Sequence, residues 1–149
     1  MTSIIKQLEE KKDSLNIEFY KPVNEEIVDR FEKEYITLPT EYLDFIRKSD
    51  GLGATEVFDG MIYSLKDTKD VLESSIKMHT SDLDKGLLHV GCFWEDSLFV
   101  DQNNSVYMSF QGIGKPVCLN MSFKEFLQNC IDRDFELFWD ENIQIIEEV

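Results

Sequence analysis

The sequence predicts an α+β domain in which helices flank a central antiparallel sheet. Three observations predict it. Helical periodicity with capping residues dominates residues 3–46, alternating apolar residues separated by turn chemistry dominate 87–119, and a capping box opens a last helix at Ser122. Helices, then mostly strands, then a helix is the order of segregated layers rather than of alternating βα units. No repeat, low-complexity tract or linker divides the 149 residues, so 1–149 reads as one domain with one core.

The elements follow in order. Ser3–Lys12 reads as a helix with Ile4, Ile5 and Leu8 on one side, broken by Asp13-Ser14. Leu15, Ile17 and Phe19 alternate with polar residues, as either a short edge strand or an extended linker. Asn24 is the N-cap of a second helix, with Glu25 and Glu26 in the first turn, where the helix dipole favours acids. Val23 and Val28 hold staple positions, and Ile27, Val28, Phe31 and Tyr35 make its buried stripe. A third helix starts at Pro39, whose fixed φ suits a first helical position. It carries Leu38, Tyr42, Phe45 and Ile46 on one face and is expected to end at Asp50-Gly51.

Period-two signals come next. Glu56–Phe58 and Met61–Tyr63 around Asp59-Gly60 predict a hairpin with a type I′ turn. Ser64–Lys77 predicts a polar turn and an exposed helix. Leu87–Phe93, Ser97–Asp101 and Ser105–Phe110 predict three strands of an antiparallel meander, the last two joined by the turn residues Asp101-Gln102-Asn103-Asn104. Pro116–Leu119 predicts an edge strand, since proline donates no ladder hydrogen bond. Ser122 and Glu125 then form a capping box, with Met121 and Phe126 at the staple positions of a helix over Phe123–Ile131.

Composition narrows the function. Hydrophobic residues at 42% supply a core, which argues against disorder, and no run approaches the roughly 20 apolar residues a membrane helix needs. The N-terminus turns polar at once and lacks a signal-peptide pattern, so a cytoplasmic protein is expected. Cys92, Cys118 and Cys130 form no CxxC and are expected as small buried side chains in a reducing compartment. Thirty acidic residues oppose fifteen basic ones, for a net charge of −15. Such a surface repels nucleic acid and anionic membranes and attracts basic partners. The excess peaks in residues 132–149, with seven acids and one base, where Phe135, Phe138 and Trp139 also lie.

Catalytic patterns are missing. His89 sits in an apolar strand and His79 in a polar loop, neither beside a nucleophile elbow. The two histidines lack HExxH spacing, and no cysteine cluster offers a metal site. Asp101–Ser105 lacks the glycine and terminal glutamate of a calcium loop. Gln111–Pro116 lacks the GK[ST] ending and the helix that phosphate binding requires. Carboxylate pairs such as Glu95-Asp96 and Asp132/Asp134 are too common in so acidic a chain to single out a hydrolase. No catalytic residue, metal or cofactor is therefore expected.

Glu32, Tyr35, Leu38-Pro39, Tyr42, Phe45-Ile46 and Asp50-Gly51-Leu52-Gly53 together resemble the signature of the SUKH superfamily. That signature is an acid, a spacer, Leu-Pro, an aromatic, an apolar residue and Asn-Gly-Gly. Ile62–Leu65, Val90–Val106 and Ser122–Leu127 resemble the strand, hairpin and closing helix that follow in that family. The departures are Asp50 for asparagine and Leu52 between the glycines. The resemblance implies an α+β fold around an antiparallel sheet, no catalysis and no cofactor. Many bacterial members are immunity proteins that neutralise a toxin domain, often a nuclease; others are regulators or scaffolds. The expected partner is accordingly a basic protein, a toxin domain by the family's habit, with a regulatory or scaffold module as the alternative. Among the motif residues, Leu38, Tyr42 and Phe45 are expected to serve the core first. The expected partner-binding residues are Trp94, Glu95, Asp96, Phe138, Trp139, Asp140 and Glu141, which join acids to aromatic anchors. Either tryptophan is equally of a kind that packs in a core.

Overall fold

The computed structural model describes residues 1–54, 59–78, 86–110 and 115–135. Among them the chain forms helices α1 (Thr2–Glu10), α2 (Lys12–Leu15), α3 (Glu25–Glu34), α4 (Thr40–Ile46), α5 (Leu65–Met78) and α6 (Phe123–Asp132). The strands are β1 (Glu18–Phe19), β2 (Leu52–Ala54), β3 (Gly60–Ile62), β4 (Leu88–Phe93), β5 (Asp96–Val100), β6 (Ser105–Ser109) and β7 (Val117–Ser122). The seven strands lie side by side in chain order, every neighbouring pair antiparallel. The expected α+β architecture with a central antiparallel sheet is therefore the one observed.

The register sorts the two faces of the sheet. Phe19, Leu52, Ile62, Gly91, Leu98, Met108 and Val117 are paired in one row across all seven strands. Next to it, Glu18, Gly53, Met61, Cys92, Ser97 and Ser109 form a row facing the other way. Leu52, Ile62, Leu98 and Met108 join one buried cluster with Ile4 and Leu8 of α1, Phe31 of α3, Tyr42 and Phe45 of α4 and Phe126 of α6. Phe123 stands edge-on to both Tyr42 and Phe45, with centroids 6.0 Å away in each case. On the opposite face His89 stacks on Phe99 at 4.6 Å and meets Tyr63 edge-on.

Local capping signals placed α3 and α6. The Asn24 side chain accepts from the Glu26 amide at 2.8 Å, and Val23 and Val28 are both buried. Ser122 and Glu125 complete the reciprocal capping box.

Several boundaries differ from expectation for identifiable reasons. Asp13-Ser14 does not break a helix: both lie in α2, and the chain turns out at Asn16, which takes the left-handed conformation that asparagine tolerates. Ile27 is not part of the buried stripe of α3; it is 45% exposed. Helix α4 begins one residue after Pro39 and ends at Ile46, so Asp50-Gly51 does not terminate it. Gly60 is not in a two-residue turn. It sits within β3, opposite Ala54 on one side and Phe93 on the other, so β2 is the hairpin partner and residues 55–58 lie outside the described residues. The glycine and alanine of β2 hid it, because neither carries strand propensity. Cys130 is buried, whereas Cys92 and Cys118 are only partly so, and all three thiols are free. The segments holding His79 and Gln111–Gly114 lie outside the described residues.

Candidate functional site

Each motif residue has a physical task in the fold, and two of them, Asp50 and Gly51, build the loop after α4. Glu32, in the last turn of α3, accepts from the Leu38 amide at 2.8 Å, which fixes the turn between α3 and α4 and explains the six-residue spacing. Leu38, Tyr42 and Phe45 are fully buried. The Tyr42 hydroxyl spans the core to the Tyr63 carbonyl and the Thr68 hydroxyl, each at 3.0 Å. Pro39 is the extended residue just before α4. Asp50 accepts from the Leu65 amide at 2.8 Å and so caps the start of α5. Gly51 has φ +106°, and a Cβ there would come within 3.0 Å of the Ile62 carbonyl and the Ser64 amide. Only glycine fits such a close backbone crossing.

The loop is laced to the segment that follows β1. The Tyr20 amide donates to the Ser49 hydroxyl at 2.9 Å, and that hydroxyl donates to the Gly51 carbonyl at 2.7 Å. Asp50 donates its amide to the Lys21 carbonyl at 3.1 Å, and Val23 donates to the Ile46 carbonyl at 2.9 Å. Ser49 itself is buried. Residues 19–23 and 46–51 therefore form a fixed double strap.

A groove of about 490 Å³ opens beside this strap. The end of β1, the start of α3, the Asp50 loop, β3 and the first turn of α5 form its walls. Tyr20 and Ile27, two of the three exposed large hydrophobic residues among the described ones, line it, together with Asp50 and Asp67. A neighbouring depression of about 450 Å³ shares Tyr20 and Met61 and adds Glu18. The Tyr20 hydroxyl donates to Glu18 Oε2 at 3.3 Å, and Gly53 makes room for the tyrosine, since a Cβ there would lie 3.1 Å from the Tyr20 hydroxyl oxygen. Among the described residues Glu18, Asp50 and Asp67 take part in no ion pair; those present are Lys11–Asp134, Arg47–Glu25 and Lys69–Glu73. Burial lifts the Asp50 carboxyl above its ordinary range, the Leu65 amide pulls it back, and the Asp67 charge adds to the rise. Burial and then the Glu18 carboxylate likewise raise the Tyr20 phenol.

The expected partner-binding residues divide. Trp94 is exposed at 42% in the β4–β5 turn, held at φ +57°, with its amide bonded to the Asp59 carbonyl. Glu95 is exposed beside it. Asp96 departs from the expectation of a surface acid: it is 7% exposed, because it opens β5 opposite Phe93 on the core side of the sheet. Phe138, Trp139, Asp140 and Glu141 lie outside the described residues. Sequence reasoning missed Tyr20, Ile27 and Asp67. A signal was there for Ile27, an isoleucine directly before the staple valine, where the helical stripe is already satisfied by Val28 and Phe31.

Among the described residues no group of three or more His, Cys, Asp or Glu side chains is placed to hold a metal ion, and no helix is long and apolar enough to cross a membrane. Compared with known proteins, the chain matches no protein-family model, and no curated protein matches it.

Proposed function

We propose that this chain is a non-catalytic immunity protein of the SUKH type, which binds and neutralises a basic toxin domain of the nuclease kind inside the cell. The observation that carries the reading is the twofold excess of acids, a net charge of −15 on a 149-residue domain. A nuclease must present cationic side chains to its phosphate substrate, and an acidic protein can cover them, with attraction that speeds encounter. The exposed rings Tyr20 and Trp94 support the reading, since aromatic anchors hold complexes that charge alone brings together. So does the engagement of the motif residues Glu32, Tyr42, Asp50 and Gly51 in building the fold, which leaves them to position a surface rather than to react.

The test is co-expression with the protein encoded by the adjacent gene. Rescue of growth, with a complex that co-purifies, is the expected result. Absence of both rescue and complex overturns the reading.

A further inference from the structure

We infer that the groove beside the Asp50 loop is a receptor for an arginine side chain of the protein partner, its guanidinium lying on the Tyr20 ring and facing Asp50 and Asp67. The inference rests on the reading of the chain as a binder of basic proteins and gives that reading a location.

Three features of the groove select this occupant. Its walls are partly apolar and open to solvent: Tyr20 is 48% and Ile27 45% exposed, and both line the same groove. Its ionic groups are mostly acidic. Lys21 also lines it, but Asp50 and Asp67 outnumber that cation, and Glu18 stands next to the Tyr20 hydroxyl. Those acids have no internal cation to satisfy them among the described residues. Asp50 spends one oxygen, Oδ1, on the Leu65 amide, and its other oxygen makes no hydrogen bond among the described residues. The Asp67 side chain makes none either and is exposed.

An arginine fits these features better than a lysine. Its aliphatic stem covers apolar wall, its planar head stacks on a tyrosine, and its fork of donors reaches two carboxylates together. The groove is also fixed before any partner arrives. The hydrogen bonds from Tyr20 to Ser49, from Ser49 to Gly51, from Asp50 to Lys21 and from Leu65 to Asp50 tie three walls together. A preformed site spends little ordering free energy on binding.

The test uses the full chain, isotopically labelled, and the capped tripeptide Leu-Arg-Leu as probe. Its comparison is the same peptide with citrulline, which keeps the shape and removes the charge. The expected result is a saturable shift of the Tyr20, Gly51, Gly53 and Leu65 amide signals with the arginine peptide and none with the citrulline peptide. Asp67→Asn should weaken binding about fivefold, and the equal charge change Glu10→Gln, at the exposed end of α1, less than about twofold. Both positions are exposed, and an unchanged far-UV spectrum certifies the fold. Equal binding of the two peptides, equal effects of the two substitutions, or the absence of a saturable shift at the groove overturns the inference. Co-expression separates it from the broader reading. If the unaltered chain rescues and Tyr20→Ala/Asp67→Asn rescues with the same affinity for the partner, the groove is wrong and the immunity reading stands. If the unaltered chain itself fails, the immunity reading falls.

Discussion

Gly51, Tyr42 and Asp50 show how single residues of the motif work. At Gly51 the backbone needs both a left-handed φ and the absence of a Cβ, so Gly51→Ala is expected to destabilise the fold by about 1–3 kcal/mol, measured by urea unfolding. At Tyr42 the ring fills the core and the hydroxyl satisfies the Tyr63 carbonyl, so Tyr42→Phe keeps the packing and removes the hydrogen bonds. A loss of about 1–2 kcal/mol is expected, with the Thr68 hydroxyl left behind in a buried position. Asp50 behaves differently because its carboxyl is raised in the folded state. The proton is held more tightly folded than unfolded, so this group adds stability that is complete below its ordinary value of 3.8 and disappears as the pH rises through the folded value. Asp50→Asn lacks that contribution. The stability of the unaltered chain relative to Asp50→Asn should therefore grow between about pH 8 and about pH 4, and unfolding curves at the two pH values check the sign.

At the scale of elements, α4 and α6 secure each other's starts across the sequence. Helix α4 has no local side-chain cap. Instead Asn104, in the β5–β6 turn at φ +66°, accepts from the Glu41 amide at 2.9 Å and donates to the Thr40 hydroxyl at 3.0 Å. Glu41 in turn accepts from the Lys124 amide of α6 at 2.7 Å, and the Asn104 carbonyl accepts from the Phe123 amide at 2.8 Å. One turn thus ties two helices to the sheet. Asn104→Ala should cost about 1 kcal/mol, as the loss of a helix cap does, and a double-mutant cycle with Glu41→Ala should show coupling.

These ties also mark what a sequence can and cannot disclose. Asn24 capping α3 and Ser122/Glu125 capping α6 were legible because both partners lie within three residues. Strands β4–β6 were legible because alternation and the Asp101–Asn104 turn coincide. The cap that Asn104 provides spans 63 residues, and no local pattern signals it. Strand β2 is held by its neighbours rather than by its own Leu-Gly-Ala, so propensity was silent. The groove failed to appear for the same reason: Tyr20, Ile27, Asp50 and Asp67 come from four separate segments.

For the whole molecule the governing quantity is charge. Fifteen uncompensated negative charges repel one another in the folded state more than in an extended chain. Raising salt from about 20 mM to about 500 mM shortens the screening length from about 20 Å to about 4 Å and should raise the thermal midpoint by a few degrees. The same charges that strain the fold would draw in a basic partner, and an exposed ring beside unpaired carboxylates would then keep it.

The association rate constant with the protein encoded by the adjacent gene, followed by stopped flow over that salt range, tests the central claim most directly. Electrostatic capture predicts a fall of about tenfold or more in the association rate, with a far smaller change in dissociation. An association rate indifferent to salt would contradict it.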